Sequence, residues 1–184
     1  MDTKKTLEQF DEALKRCRNI FAKKLIDYGA SWRIMRPMSI SDQLYIKAKR
    51  IRTLETDTAL VNEGILPEFI AIVNYGIVGL IQLSQGYADE VDMSAEEALA
   101  LYDTWSRKAR DLMAAKTHDY GDAWRSMRVN SYTDLILTKI QRTKQIESND
   151  GQTIISEGID ANYMDIINYA VFGIIKLTDG EENA

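Results

Sequence analysis

The stretch KLIDYGASWRIMRPMSISDQLYIKAKRIRTLE, residues 24–55, returns later in the chain as KTHDYGDAWRSMRVNSYTDLILTKIQRTKQIE, residues 116–147. The copies lie about 92 residues apart, and roughly 13 of their 32 positions are identical, where chance would give about two. The matching resumes at two later places, Glu63-Gly64-Ile65 with Glu157-Gly158-Ile159 and Asn74-Tyr75 with Asn168-Tyr169. This pattern indicates a tandem duplication, with a first repeat over residues 1–90 and a second over 91–184.

Each repeat is predicted to form three helices and no strand. Apolar residues near the start of each repeat recur at steps of three and four, which is typical of a helix with one buried stripe. They are Leu7, Phe10, Leu14, Cys17, Phe21 and Leu25 in the first repeat, and Leu99, Tyr102, Ala109 and Met113 in the second. A second helix is expected to follow each Asp-Tyr-Gly turn, with Ser39 or Ser131 as its N-cap.

The third helix of each repeat is the apolar run, Ile65 to Leu83 or Ile159 to Leu177. Gly64 and Gly158 stand where these helices would begin. Three helices in about 92 residues offer too little surface to bury such apolar runs alone, so the two repeats are expected to share one core. The predicted fold is all-α, a tandem-duplicated helical bundle that forms an intramolecular pseudo-dimer.

Composition excludes several classes of protein. With 45% hydrophobic and 28% charged residues and one cysteine in 184 residues, the chain suits a compact domain without disulfides. A net charge of −5 argues against coating duplex DNA. Polar residues interrupt both apolar runs, which favours core helices over membrane spans. We therefore expect a cytoplasmic protein, and a homodimer is a possible assembly.

One local rule is broken in the same way in both repeats. Asp27 and Asp119 fall near the C-terminal end of the first helix, where the helix dipole disfavours a carboxylate. A function in ligand binding would explain this placement. An ion pair with Arg33 or Arg125, or a bond to a neighbouring helix start, would explain it equally well.

Aromatic and basic residues recur beside these acids. Tyr28, Tyr120, Trp32 and Trp124 could stack on a nucleobase or fill space between helices. Two pairs, Lys47 with Arg50 and Lys139 with Arg142, lie three residues apart and share a helix face, which suits a phosphate. The alternative is a solvated basic face paired with Glu55 and Glu147.

Polar residues in the last helix are the sharpest anomaly. Asp165 and Asn168 lie one turn apart in an apolar segment, and buried polar groups need partners. Glu157 is expected on a similar helix face, and Asp160 adds another acid. Carboxylates without a histidine or cysteine cluster suit Mg²⁺. The alternative is a hydrogen-bond network to Lys139 or Arg142.

These residues resemble a bacterial and phage family of unknown biochemical role, the nucleotide modification associated domain, type one. The resemblance rests on K-x-x-D-Y-G-x-x-W at Lys24 and Lys116, on the two K-x-x-R pairs, and on the last helix with Glu157, Asp165 and Asn168-Tyr169. It covers most of both repeats. It implies an association with nucleotides and not a defined activity.

More distantly, the layout is similar to the MazG-like all-α nucleoside triphosphate pyrophosphatases, whose helix-borne acids hold Mg²⁺. The likeness is partial. Glu157-Gly-Ile-Asp160 has one of the expected spacings, but Ala161 stands where related chains carry an acid. In the first repeat, Pro67 and Ala71 occupy the positions of Ala161 and Asp165, so that repeat lacks the acid set.

The leading hypothesis is a Mg²⁺-dependent pyrophosphohydrolase acting on a small phosphorylated nucleotide. Its catalytic candidates are Glu157, Asp165, Lys139 and Arg142, and its metal candidates are Glu157, Asp160 and Asp165. The substrate-binding candidates are Asp27, Tyr28, Trp32, Lys47, Arg50, Lys116, Asp119, Tyr120, Trp124, Arg125, Asn168 and Tyr169. A composite site, with acids from one repeat and the other groups from its partner, is one arrangement. The alternative function is a non-catalytic module that binds a nucleotide or a protein.

Overall fold

The structure is a computed structural model that describes residues 3–56 and 61–179, and the side chains of all these residues except 61–63. Within these ranges the chain forms six α-helices and no strand. The helices are α1 (Thr3–Tyr28), α2 (Pro37–Thr56), α3 (Val61–Gln85), α4 (Ala95–Tyr120), α5 (Val129–Ser148) and α6 (Ile159–Thr178). A short 3₁₀ turn follows α1 at Ser31–Ile34 and another follows α4 at Ala123–Ser126.

The two repeats pack around a pseudo-twofold axis. Helix α1 packs against α4, α2 against α5, and α3 against α6. Ion pairs across α1 and α4 are reciprocal, because Arg18 binds Asp103 at 2.7 Å while Arg110, the counterpart of Arg18, binds Asp11 at 2.8 Å. A two-fold dimer has the same reciprocity between its subunits.

The centre of the core lies between α3 and α6. A Cβ added at Gly79 would lie 3.1 Å from the ring of Tyr163, and one added at Gly173 would lie 3.0 Å from the ring of Phe69. Each glycine thus lets an aromatic ring of the other repeat approach its helix. Buried residues of both repeats form one hydrophobic cluster. The prediction of an all-α pseudo-dimer with a shared core is confirmed.

Among the described residues one helical segment, Gly64–Gln85, is long and apolar enough to cross a membrane. Two thirds of its most apolar window, 67%, is buried inside the protein. This burial is what the core helix of a bundle shows, and it arises from packing against α2 and α6.

Helix ends follow the sequence in most places. Gly29 and Gly121 adopt positive φ angles of 67° and 62° directly after α1 and α4, as expected for glycines that stop a helix. The prediction of serine N-caps was wrong. Helix α2 begins at Pro37, whose fixed φ suits the first helical position, so Ser39 lies inside the first turn. Ser131 likewise lies inside α5.

The α2–α5 contact half-buries two carboxylates. Thr133 donates a hydrogen bond to Glu55 at 2.7 Å, and its counterpart Ser41 donates one to Glu147 at 2.6 Å. Burial raises the pKa of both glutamates, and the hydroxyl donors only partly offset this. The alternative in which these glutamates form ion pairs with Lys47, Arg50, Lys139 and Arg142 is therefore not observed. They join the repeats instead.

We expect Glu147→Gln to stabilise the protein at neutral pH by at most about 1 kcal/mol, because the side chain is only half-buried. A folded-state pKa above the ordinary value means that stability falls as pH rises through that pKa. Glutamine keeps the acceptor for Ser41 but removes the buried charge. The gain should be present at pH 7 and absent below the ordinary glutamate pKa of 4.5.

Urea unfolding at several pH values measures this effect. Glu55→Gln, the counterpart in the first repeat, should behave alike, whereas Glu90→Gln changes an exposed glutamate and should have no effect. A gain that persists unchanged at pH 4 would contradict the assignment.

Candidate functional site

Each repeat folds a cavity between the end of its first helix, the 3₁₀ turn after it and its third helix. The glycine after Tyr28 or Tyr120 reverses the chain, and the 3₁₀ turn then places Trp32 or Trp124 against the third helix. We call these the first cavity and the second cavity. Their volumes are about 320 Å³ and about 550 Å³.

The two cavities use equivalent positions, and every lining residue of each comes from a single repeat. The second cavity is lined by Met113, Lys116, Thr117, Tyr120, Gly121, Ala123, Trp124, Met127, Lys139, Glu157, Asp165, Asn168, Tyr169 and Phe172. The first is lined by Phe21, Lys24, Leu25, Tyr28, Gly29, Ser31, Trp32, Ile34, Met35, Ala71, Asn74, Tyr75 and Val78. Neither of these two cavities is therefore a composite site drawn from both repeats.

A buried carboxylate holds two lysines in the second cavity. Asp165 is 6% exposed and accepts from the ammonium groups of Lys116 at 2.6 Å and Lys139 at 2.7 Å. Burial alone would raise the pKa of Asp165, but the two lysines outweigh it and hold the pKa below its ordinary value. The alternative prediction of a network from Asp165 to Lys139 is thus the arrangement that forms.

Two buried polar atoms of residues that line this cavity have no hydrogen-bond partner in the described part of the protein. They are Nε1 of Trp124, a donor, and Oδ1 of Asn168, an acceptor. The amide nitrogen of Asn168 donates to the carbonyl of Ala109 at 3.1 Å, which fixes the side chain. An unsatisfied buried group costs about 1–3 kcal/mol, so a ligand that satisfies it gains affinity.

A third cavity, of about 800 Å³, adjoins the second and is called the loop cavity here. It lies between the C-terminal half of α5 and the loop that leads to α6. Lys139 and Glu157 line both cavities, and Arg142 lines the loop cavity. Arg142 is exposed and forms no ion pair with any other described residue. A cavity that carries two cationic side chains, Lys139 and Arg142, thus adjoins the partly aromatic second cavity.

The residues present do not fit the predicted magnesium centre. Within residues 3–56 and 61–179, no three histidine, cysteine or acidic side chains group closely enough to hold a metal. Helix α6 begins at Ile159, so Glu157 precedes it. Asp160 is five residues from Asp165, about 140° around the helix. The ammonium groups on both oxygens of Asp165 would repel a divalent cation.

In the first repeat the buried acid lies one helical turn earlier in the third helix than it does in the second repeat. Ala71 stands at the position of Asp165, and Glu68, three residues earlier, is 6% exposed. Glu68 binds Lys47 at 3.5 Å and Arg50 at 3.2 Å. Lys47 and Arg50, both predicted to bind phosphate, thus form ion pairs with a buried acid of the protein itself. The signal for Glu68 was its charge within the apolar run.

The acids before the glycine turns do not pair with the arginines. Asp27 is exposed at the end of α1, and Asp119 lies 3.2 Å from His118. Arg33 instead binds Asp92 at 2.9 Å, and Arg125 donates to Thr6 and Gln9 of the first repeat at 2.9 and 2.7 Å. Neither aspartate lines a cavity described above. Arg125 joins the repeats and does not line the second cavity.

The aromatic candidates divide into walls and rims. Trp32 and Trp124 are 8% and 6% exposed, and Trp124 stacks on Phe172 at 4.5 Å, so the tryptophans present little open face. Tyr28 and Tyr120 are 56% and 77% exposed at the cavity mouths. Tyr169 is half-buried within the second cavity. The tyrosines are therefore better placed than the tryptophans to stack on a planar ligand.

Comparison with known proteins gives one family. No curated protein and no solved structure matches the chain. The family model of nucleotide modification associated domain 1 matches twice, at residues 24–83 and 116–177. Each match begins at the lysine before the Asp-Tyr-Gly turn and runs into the third helix. Together the matches cover more than half of the chain, which therefore belongs to the nucleotide modification associated domain 1 family and carries two copies of it.

Proposed function

We propose that this protein binds a nucleotide in the cleft formed by the second cavity and the loop cavity. The observation that carries the proposal is that Lys139 and Glu157 line both compartments, so an aromatic space and a cationic space are continuous. A nucleotide has the same two parts, a planar base and a charged phosphate chain. The family's association with nucleotides supports this choice.

The base would occupy the second cavity. Tyr120 and Tyr169 offer aromatic surface, and base stacking on such a face contributes about 1–3 kcal/mol. The free donor at Trp124 and the free acceptor at Asn168 suit a base, whose edge carries groups of both kinds. A purely apolar ligand would leave both atoms unsatisfied.

The phosphate chain would lie toward the loop cavity, on Lys139 and Arg142. A lysine ammonium has three donors. The hydrogen bond from Lys116 or Lys139 to Asp165 therefore leaves donors available on each. The three cations outnumber Asp165 and Glu157, which leaves one net positive charge. Asp165 thus acts by positioning two ammonium groups for a phosphate.

The pyrophosphohydrolase hypothesis adds hydrolysis of the phosphate chain to binding. The geometry supports binding better than it supports hydrolysis. Metal-assisted hydrolysis would need Asp165 to exchange its two lysines for Mg²⁺ and Glu157 to approach it. A nucleotide-binding module without catalysis needs no such change. We therefore place binding first and keep pyrophosphate release as a separate question for the assay below.

Titration calorimetry without metal should detect binding of at least one nucleoside triphosphate. Arg142→Ala should weaken that binding about tenfold, the effect of losing one charge-assisted contact of about 1.4 kcal/mol. The matched control is Arg50→Ala, which changes the equivalent arginine in the first repeat and should leave the Kd unchanged.

Absence of binding across a broad panel of canonical and modified nucleotides would contradict the proposal, as would equal losses in both variants. The same samples with Mg²⁺ then decide between the two functions. Release of pyrophosphate that Asp165→Ala abolishes would show a hydrolase, and binding without turnover would show a binding module.

A further inference from the structure

The first cavity has no part in the proposed nucleotide site. It is formed entirely by the first repeat, whereas the cleft discussed above is formed by the second. Its volume of about 320 Å³ is large enough for a small organic molecule. Its walls retain aromatic side chains, among them Phe21, Trp32 and Tyr75.

One polar atom in this wall lacks a partner. Nε1 of Trp32 is buried without a hydrogen bond within the described part of the chain, and the residue is 8% exposed. Asn74, unlike its counterpart Asn168, has a partner at both its side-chain oxygen and its side-chain nitrogen. It accepts from the hydroxyl of Tyr102 at 2.8 Å and donates to the carbonyl of Cys17 at 3.2 Å. The residues that line the first cavity thus leave one buried donor unsatisfied, whereas those that line the second leave a donor and an acceptor.

The charge of the first cavity also differs. Ala71 removes the buried carboxylate, and Glu68 holds Lys47 and Arg50 away from the cavity. Lys24 is the cation left in the lining, and it forms no ion pair with a described residue. A single free ammonium suits one anionic group, whereas a triphosphate chain needs several cations.

These differences point to a second site of different selectivity. We propose that the first cavity binds a nucleoside monophosphate, with its base against Tyr28 and Tyr75 and its phosphate on Lys24. Trp32 donates its indole N–H to an acceptor on the base. This inference rests on the proposed function for the class of ligand, but it concerns a separate cavity and separate residues.

The two tryptophans give a separate reporter for each cavity. A variant with Trp105→Phe and Trp124→Phe retains only Trp32, and one with Trp32→Phe and Trp105→Phe retains only Trp124. We expect the common ribonucleoside monophosphates to include one that changes Trp32 fluorescence saturably. Lys24→Ala in the Trp32 reporter should raise its Kd about tenfold, and Lys116→Ala should leave it unchanged.

Three further ligands decide the chemistry. The matching nucleoside should bind the Trp32 reporter about as weakly as the monophosphate binds after Lys24→Ala, and the matching triphosphate should bind no tighter than the monophosphate. Phenyl phosphate should bind at least tenfold more weakly than the nucleotide.

No saturable change at Trp32, a Kd insensitive to Lys24→Ala, or equal affinity for phenyl phosphate would each overturn the inference. The Trp124 reporter keeps the two proposals apart. A triphosphate that changes Trp124 fluorescence, with no monophosphate that changes Trp32 fluorescence, supports the proposed function and overturns the second site. A monophosphate that changes Trp32 fluorescence, with no nucleotide that changes Trp124 fluorescence, does the reverse.

Discussion

Replacing Asp165 by asparagine should lower the free energy of unfolding by about 3 kcal/mol, the low end of the range for breaking a buried ion pair. Asparagine has nearly the same shape but no charge. Lys139, whose side chain is 15% exposed, would be left without its partner carboxylate. Lys116 is 48% exposed and can turn toward water or Glu157, so it adds less to the loss.

Glu68→Gln is the matched control for this variant. Glu68 is as buried as Asp165, but its cations lie at 3.2 and 3.5 Å and the Arg50 side chain is 61% exposed. We expect a loss of about 1 kcal/mol or less. Urea unfolding at pH 7 measures both variants, and equal losses would contradict the role assigned to Asp165.

The effect of Asp165→Asn should also depend on pH. The lysines lower the folded-state pKa of Asp165, so its contribution to stability is complete above the ordinary value of 3.8 and is lost as pH falls through the folded-state pKa. Wild-type and variant proteins should therefore converge in acid. A difference between their free energies of unfolding that grows below pH 4 would contradict this assignment.

Replacing Phe69 by alanine should cost about 3–5 kcal/mol and weaken both repeats together. Phe69 is fully buried in α3, and its ring lies against Gly173 in α6 of the other repeat. The cavity left behind would therefore open between the repeats. With a single shared core, neither repeat can keep its stability when this contact is lost.

Unfolding should be followed separately at Trp32 and at Trp124, one in each repeat, in the single-tryptophan proteins described above. We expect both curves to shift together, because coincident transitions are the mark of one cooperative unit. Ile46→Ala, at a position that is 53% exposed, should change stability by less than about 0.5 kcal/mol. A shift confined to Trp32 would show that the repeats unfold independently.

The candidate site was only partly predictable. The identical motifs pointed to the glycine turns, the tryptophans, Lys116 and Lys139, and all of these line the two cavities. The aspartates and arginines of the same motifs do not. Helical periodicity indicated a shared helix face for Glu157 and Asp165. The helix that carries Asp165 begins only at Ile159, so Glu157 lies in the loop before it. One alternative paired Asp27 and Asp119 with Arg33 and Arg125, but the arginine side chains reach Asp92 and Thr6 instead.

By itself the sequence determined the helices, the duplication and the glycine turns, because helical periodicity and turn chemistry are local and recur in both copies. Only the tertiary structure decided which acid meets which cation. Moving the buried carboxylate by one turn, from the position of Ala71 to Glu68, redirects Lys47 and leaves Lys24 free, while Asp165 in the second repeat holds two lysines. Such pairings depend on how the helices pack and how far side chains reach across a shared core. The spacing of residues along the sequence predicts neither the packing nor the reach.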